Sequence, residues 1–240
     1  MRKGYLNNVI LKGFLRKAAM VGVFTFLSFA PVFSQTHYSS NVTVGAKGGM
    51  DFSRVFFNPS VKQSFQPGIT AGVMVRYIEE NHFGLIAELN YAQRGWKENF
   101  EGAPFSYSRD LNYIDFCFLA HVYFGRRAKF FFNAGPQVGY YLGEKIKSNF
   151  DPYNIGHIPD FPTTNRINQQ MVEPINIKVD YGISAGIGGE YNINRRNSIS
   201  VECRFYFGLA NIFSTKRADY FNASNQMSLS ATIGYWFRVK

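Results

Sequence analysis

Hydrophobic residues alternate with small or polar residues in eight separate segments of the chain. A period of two is typical of β-strands that present one apolar and one polar face. No segment outside the amino-terminal region has the continuous apolar length of a transmembrane helix. The chain is therefore predicted to be all-β, and its eight strands are expected over residues 42–52, 69–77, 83–91, 114–124, 130–142, 179–191, 199–209 and 227–237.

Charged residues of these strands fall on the face opposite the apolar one. Apolar residues alone define the phase of each strand, so the charges are an independent indication of what each face meets. They comprise six basic and six acidic side chains. We predict a lumen charge network of eleven residues, with Asp51 beside it: Lys47, Arg76, Glu88, Arg94, Asp115, Lys178, Asp180, Glu190, Glu202, Arg204 and Arg238.

Two kinds of barrel are compatible with this alternation. A soluble ligand-carrying barrel would turn its apolar face inward and its charges toward water. A membrane barrel does the reverse, because Arg or Lys facing mid-bilayer hydrocarbon costs about 2–4 kcal/mol. Balanced signs suit a closed interior in which each charge has a partner, and aromatic residues at strand ends suit membrane interfaces. Both features favour the membrane barrel.

The connections between strands alternate strictly between short and long. Short links are expected near 78–82, 125–129 and 192–198, and long ones near 53–67, 96–110, 143–176 and 211–225. Outer-membrane barrels have short periplasmic turns and longer extracellular loops. The prediction is an eight-stranded antiparallel transmembrane β-barrel with short periplasmic turns, four longer extracellular loops and both termini in the periplasm.

The amino-terminal segment has the pattern of a secretory signal peptide. Five basic residues and no acidic one precede an apolar run over 18–33. The expected domains are a signal peptide at 1–34 and an outer-membrane barrel domain at 35–240, with an uncleaved anchor as the alternative. Five of the ten net positive charges lie in this leader. The net charge of +10 is therefore no indication of nucleic-acid binding.

Composition offers little for catalysis, metal binding or a cofactor. The two cysteines cannot form a disulfide framework, and no Cys/His cluster suits zinc. Cys117 is expected to face the lumen and Cys203 the lipid. A lipid-modifying enzyme would need a histidine close to a serine or carboxylate near the outer leaflet. His37, His82, His121 and His157 lie apart along the predicted strands and links, so we predict no enzyme and no cofactor.

Five segments stand out by their sequence: 44–49 (VGAKGG), 88–95 (ELNYAQRG), 113–124, 133–136 (NAGP) with 139–140 (GY), and 180–182 (DYG) followed by a glycine-rich strand. In these segments the chain resembles small outer-membrane β-barrel proteins of Gram-negative bacteria, the porin-family or PorT-like outer-membrane β-barrel proteins. The resemblance implies an eight-stranded barrel in the outer membrane. The members of this family share no known common reaction, and one member is implicated in protein secretion. The chain departs from many bacterial barrels because it ends FRVK and not on an aromatic residue.

The predicted function is that of a non-enzymatic structural or interaction protein, working through its outer loops or its periplasmic face. Its expected partners are outer-membrane lipid and other envelope or secretion proteins, with no nucleic acid, and the barrel is expected to be monomeric. One alternative is an accessory component of a protein secretion or envelope-assembly machine. Another is a narrow small-solute porin, although an eight-stranded lumen is only wide enough for side chains. The least favoured is a lipid-modifying enzyme.

Overall fold

The computed structural model describes residues 41–162, 166–214 and 220–239. The predicted signal peptide lies outside the described residues. Within the described part, no helix has the length and hydropathy needed to cross a membrane. Short 3₁₀ turns occur at Ile155–His157 and Gln169–Met171. The strands are β1 (Asn41–Asn58), β2 (Gln63–Ser64), β3 (Gln66–Glu80), β4 (Phe83–Glu98), β5 (Tyr107–Gly125), β6 (Ala128–Ser148), β7 (Val179–Asn192), β8 (Asn197–Asn211) and β9 (Ala223–Arg238).

Eight long antiparallel strands form a closed ring. β1 pairs with β3 on one side and with β9 on the other, and the ring continues through β8, β7, β6 and β5. β4 pairs with both β3 and β5 and closes it, while the two-residue β2 pairs only with the end of β4. Closure leaves no long edge unpaired. The prediction of an eight-stranded antiparallel barrel is confirmed.

The two faces of the wall differ in the way the sequence predicts. Leu89 and Ile183 point outward and are more than half exposed, whereas Glu88, Arg94 and Asp115 are buried inside. The outward apolar residues form a band around the barrel that is bounded at each end by a girdle of aromatic side chains. We call this band, with its two girdles, the apolar belt. The girdle near the short turns contains Tyr77, Phe124, Tyr191 and Tyr235, and the girdle near the long loops contains Phe52, Tyr91, Tyr140 and Tyr181.

Several strands extend further into the predicted long links than expected. β1 continues to Asn58 and β4 to Glu98, while β5 begins at Tyr107 and β6 continues to Ser148. Beyond the apolar belt, hydrophobic side chains of β1, β4 and β5 lie on the inner face, so the alternation persists in these strands with reversed sides. A change of register where Asn112 pairs with Gly143 and Tyr113 with Tyr141 adds an extra residue to β6.

The two ends of the barrel are distinguished by their connections. The turn end carries the short links at 81–82, 126–127 and 193–196. The loop end carries the connections 59–65, 99–106, 149–178 and 212–222, with β2 inside the first. Asn41 and Arg238, the ends of the outermost strands in sequence, both lie at the turn end.

Candidate functional site in the barrel interior and at the loop end

The middle of the interior is held by a group of four charged side chains. Glu88 accepts hydrogen bonds from Lys47 Nζ (2.7 Å) and from both terminal nitrogens of Arg204 (2.6 and 2.8 Å). Arg204 also donates to Glu202 (2.8 Å). Buried charges are tolerated when each is paired and hydrogen-bonded, and two cations here meet two carboxylates. We call this group the middle layer.

A second group lies nearer the turn end. Arg76 makes a two-pronged contact with Glu190, which also accepts from Lys129 Nζ (3.5 Å) and Ser198 Oγ (2.9 Å). The guanidinium of Arg76 lies 4.4 Å from the ring centroid of Trp236. The bidentate geometry and the aromatic face suit a guanidinium in particular. We call this group the turn-side layer.

A third group lies between the middle layer and the loop end. Arg94 donates to Asp115 (2.7 Å), and its second terminal nitrogen is 3.8 Å from Asp180. The guanidinium lies between the rings of Tyr113 and Tyr206, at 4.6 and 4.7 Å from their centroids. The hydroxyl of Tyr206 donates to Asp180 (2.8 Å). We call this group the loop-side layer.

The structure places most of the predicted lumen residues in these layers, and Asp51 is buried beside them. Lys178 and Arg238 are exceptions, because both are exposed. Lys178 precedes the first residue of β7 and Arg238 is the last residue of β9, so the wall does not enclose them. The residues inside are Lys47, Arg76, Glu88, Arg94, Asp115, Asp180, Glu190, Glu202 and Arg204.

The two cavities that described residues line between the layers are small. One cavity of about 10 Å³ lies beside Arg76, Glu88 and His121, and another of about 30 Å³ lies beside Asp51 and Arg94. A cavity of roughly 10–15 Å³ is just large enough to hold one water molecule. The interior at these levels thus has room for one to a few waters among tightly paired side chains.

The loop end is covered by a hydrophobic cluster, which we call the loop-end cap. Side chains from β1, β4 and β5 meet others from the loops 99–106, 149–178 and 212–222. Phe57 packs edge-on against Trp96, with ring centroids 5.4 Å apart, and stacks on Phe213 at 5.8 Å. The buried members are Val55, Phe57, Trp96, Phe100, Tyr107, Leu111, Tyr113, Phe161, Met171, Ile212, Phe213 and Phe221.

Two buried charges attach the longest loop to the strands below the cap. Arg109 forms a fork with Glu144 (2.7 and 2.9 Å) and donates to the carbonyls of Gln170 (3.3 Å) and Glu173 (2.7 Å). These contacts fix the loop segment around the second 3₁₀ turn. The hydroxyl of Tyr107 adds a bond to the carbonyl of Met171 (2.8 Å).

Glu98 is the second anchor of the loop. Its carboxylate accepts from Trp96 Nε1 (3.1 Å), Gln170 Nε2 (3.0 Å) and Arg166 Nη2 (2.7 Å). Glu98 lies seven residues, or roughly 23 Å along the strand, beyond Tyr91 in the belt. Burial raises the pKa of Glu98 above its ordinary value of 4.5, although the three donors oppose this.

The sequence analysis did not find these anchors. It assigned Trp96, Glu98 and Arg109 to a loop, since the apolar residues there depart from the phase of the belt. Trp96, Tyr107 and Leu111 do alternate with polar neighbours. A search that allowed the two faces to exchange would have detected them.

A groove of about 430 Å³ opens on the outer side of the longest loop. Tyr153, three-quarters exposed, and Tyr220 contribute aromatic rings to it, and Asn168 and Gln169 contribute amides. Arg166 lies in its wall and is held there by Glu98 and by the carbonyl of Asn99 (2.7 Å). The groove therefore combines aromatic, amide and guanidinium groups on an anchored support.

None of the described histidines or cysteines is among the residues that line this groove. His82 donates to the carbonyl of Tyr123 (2.8 Å) in a turn, and His121 donates to the side-chain oxygen of Asn133 (2.7 Å) inside the barrel. His157 is in the first 3₁₀ turn, and His37 lies outside the described residues. Cys117 is buried and Cys203 is exposed on the wall. The described part holds no group of three or more His, Cys, Asp or Glu arranged for a metal.

Comparison with known proteins places this geometry in a family. Residues 33–214 match the model of the outer membrane protein beta-barrel domain. Ail, the attachment invasion locus protein of Yersinia pestis, solved with the heparin analogue sucrose octasulfate, is 13% identical, with 82% of this chain and 99% of that one covered and a TM-score of 0.40. OprG from Pseudomonas aeruginosa is 11% identical, with 84% and 96% covered and a TM-score of 0.47.

A third similar structure is that of the outer membrane enzyme PagL, which is 14% identical, with 80% of this chain and 97% of that one covered and a TM-score of 0.31. No curated protein sequence matches the chain. Likenesses of this degree carry no conclusion about activity, and the narrower resemblance to PorT-like proteins stays a prediction. The match over 33–214 spans most of the sequence, and the chain belongs to the outer membrane protein β-barrel domain family.

Proposed function

We propose that this outer-membrane barrel is a closed, non-conducting anchor that presents its loop end as a binding surface. The observation that carries the proposal is the succession of side-chain groups that the described residues place along the interior. The turn-side, middle and loop-side layers occupy successive levels, and the loop-end cap lies above them. A narrow porin would need a continuous water path, and the small cavities between the layers argue against one.

The orientation follows the usual arrangement of such barrels. We place the turn end in the periplasm, together with both ends of the mature chain, and the loop end outside the cell. The segment 1–34 is proposed to act as the signal peptide and to be removed. In this arrangement the loop 149–178 is the longest connection that faces the exterior.

A non-enzymatic role is favoured by the contacts of the histidines. A hydrolytic site needs a base within hydrogen-bonding reach of a nucleophile or of an orienting carboxylate. His82 bonds to a carbonyl and His121 to an amide. Among the described histidines, none bonds to a serine hydroxyl or to a carboxylate. We therefore assign the groove to binding and not to catalysis.

The binding surface is supported by the construction of the groove. A loop without function tends to be short or loosely attached. Here Arg109 and Glu98 tie the loop 149–178 to β4, β5 and β6 through several charge-assisted bonds. The order created by these bonds lowers the entropy lost when a partner binds.

Conductance in planar bilayers tests the closed state. We expect the purified barrel to show no stable single-channel steps, with insertion checked by the difference in gel migration before and after boiling. Large, stable steps from the unmodified protein would overturn the proposal and favour a porin.

Site-specific crosslinking in intact cells tests the binding surface. A photoreactive residue at Tyr153 should yield a discrete adduct, while the same residue at Phe116, in the apolar belt, should react with lipid alone. The same product from both positions, or no product from Tyr153 in cells that display the folded barrel, would argue against recognition at the groove.

A further inference from the structure

Five exposed arginines are concentrated at the turn end. Arg126 and Arg127 form the turn between β5 and β6, Arg195 and Arg196 lie in the turn between β7 and β8, and Arg238 ends β9. Among the side chains that the structure describes, which do not include those of Glu79 and Glu80, no carboxylate pairs with any of these five guanidinium groups. The nearby acid Glu190 is already bound by Arg76 and Lys129.

Backbone contacts bring the five arginines into one continuous arc. The main chain and the side chain of Asn192 donate to the carbonyls of Arg127 (2.9 Å) and Arg126 (2.8 Å), which joins the two turns. The amide of Arg238 donates to the carbonyl of Arg196 (2.8 Å). The arginine arc, as we call these five residues, therefore follows the rim of the barrel from β5 to β9.

The arc lies at the edge of the lipid-facing surface. The guanidinium of Arg127 is 5.4 Å from the ring centroid of Tyr191, an outward residue of the apolar belt that is half exposed. Tyrosines at this position mark the interface between hydrocarbon and headgroups. A cation against such a ring is therefore at the depth of the lipid phosphates, with its stem along the apolar surface.

We propose that the arginine arc is a binding site for anionic phospholipid in the leaflet that surrounds the turn end. A guanidinium presents a planar fork of donors that matches phosphate oxygens. Several neighbouring cations without carboxylate partners favour a headgroup with more than one phosphate, of the diphosphatidylglycerol type, over a zwitterionic one. A small crevice between Arg195, Arg196 and Arg238 is also lined by Asn192 and Asn194.

The short turns favour a lipid over a soluble acidic protein. The links at 126–127 and 193–196 contain two and four residues, so they do not project far beyond the membrane surface. The arc also spreads along the rim and is not gathered in one pocket. A ligand present in many copies around the barrel suits this distribution. The binding surface at the loop end is separate, so this inference does not depend on it.

Native mass spectrometry of the full chain released from mixed micelles tests the site. The probes are diphosphatidylglycerol, phosphatidylglycerol and phosphatidylethanolamine. Two variants remove charge from the arc, Arg126→Gln with Arg127→Gln and Arg195→Gln with Arg196→Gln. The matched control is Lys97→Gln with Lys145→Gln, which removes two exposed and unpaired charges at the loop end.

We expect the unmodified barrel to retain diphosphatidylglycerol in preference to phosphatidylethanolamine. Each arc variant should lower this retention by about tenfold or more, since it removes two basic residues that attract the anionic headgroup. The control should leave it unchanged, and raised salt should weaken it. Gel migration before and after boiling verifies that every variant is folded. Variants with Lys in place of Arg keep the charge and should retain part of the binding.

Three results would overturn the proposal. Equal loss in the loop-end control would show that total charge, and not the arc, governs retention. Equal retention of all three lipids by the unmodified barrel would show that no anionic site exists. Displacement of bound lipid by a soluble acidic peptide at low micromolar concentration would identify the arc as a docking surface for protein.

Discussion

The barrel wall has two regions whose faces are reversed with respect to each other. Within the apolar belt, Leu89 points outward and Glu88 inward. A few residues further along the same strand, Lys97 points outward and Trp96 is buried inside. β1 shows the same exchange, from Lys47 inside the belt region to Val55 inside the cap. Phe56, which is half exposed, departs from this rule.

The exchange follows the medium outside the wall. Where the wall meets hydrocarbon, its apolar side chains face the lipid, and the polar side chains are left to the interior. The inner face there is specified by paired charges and hydrogen bonds. Beside water, aromatic side chains gain about 25 cal/mol for each Å² of apolar surface that they bury. The interior is therefore held by ion pairs in one region and by hydrophobic packing in the other.

The largest effect is expected from truncation in the cap. Trp96→Ala removes a completely buried side chain that contacts Phe57 and Phe213. Loss of such a residue costs about 3–5 kcal/mol. Protease cleavage of the loop 149–178 should therefore become much faster while the strands stay protected. Tyr153→Ala, at an exposed position of the same loop, is the control, and equal cleavage rates in Trp96→Ala and the unmodified protein would contradict packing as the basis of the cap.

The next effect concerns the outer face in the belt. Leu89→Arg and Ile183→Arg push a guanidinium toward hydrocarbon and should each cost about 2–4 kcal/mol. Folding yield into lipid vesicles should fall for both. Lys97→Leu changes the outer face beyond the belt, where water is the medium, and should leave the yield unchanged. If the two arginine variants fold as well as the unmodified chain, the apolar face does not meet lipid.

The sequence predicted the belt region well because a single pattern holds throughout it, in which apolar residues point outward and polar residues point inward. Alternation and the segregation of charges located all eight strands and most of the residues that line the lumen, although Lys178 and Arg238 lie outside it. It failed where this pattern changes: Trp96, Tyr107 and Leu111 are apolar on the inner face, so a template with fixed phase ended one predicted strand at 91 and began the next at 114. The partners of Glu88 were also beyond reach, since Lys47 and Arg204 lie 41 and 116 residues away in sequence. Closure of the ring alone determines such pairs.

A smaller effect is expected from the inner face in the belt. Glu88→Gln keeps the shape of the side chain but removes the charge that Lys47 and Arg204 share. An imperfectly satisfied buried group costs about 1–3 kcal/mol. The variant should fold into vesicles with a yield between those of the unmodified protein and Leu89→Arg. The control is Ser184→Ala, which removes an uncharged hydroxyl from the inner face. A yield below that of Leu89→Arg would mean that the middle layer, and not the lipid face, dominates assembly.

The smallest effect is a pH dependence confined to the cap. Because burial raises the pKa of Glu98 in the folded protein above 4.5, folding favours the protonated carboxyl. The resulting stabilisation is complete below pH 4.5 and is lost as the pH rises through the folded pKa. Trp236→Phe leaves Trp96 as the only tryptophan, so its fluorescence during heating measures the cap alone. In this background the melting temperature should fall from pH 4 to pH 7, and Glu98→Gln should abolish the trend, because the amide does not titrate. A melting temperature that rises over this range would show that the ion pair with Arg166 outweighs the desolvation of Glu98, and that the cap, like the interior of the belt, depends on paired charge.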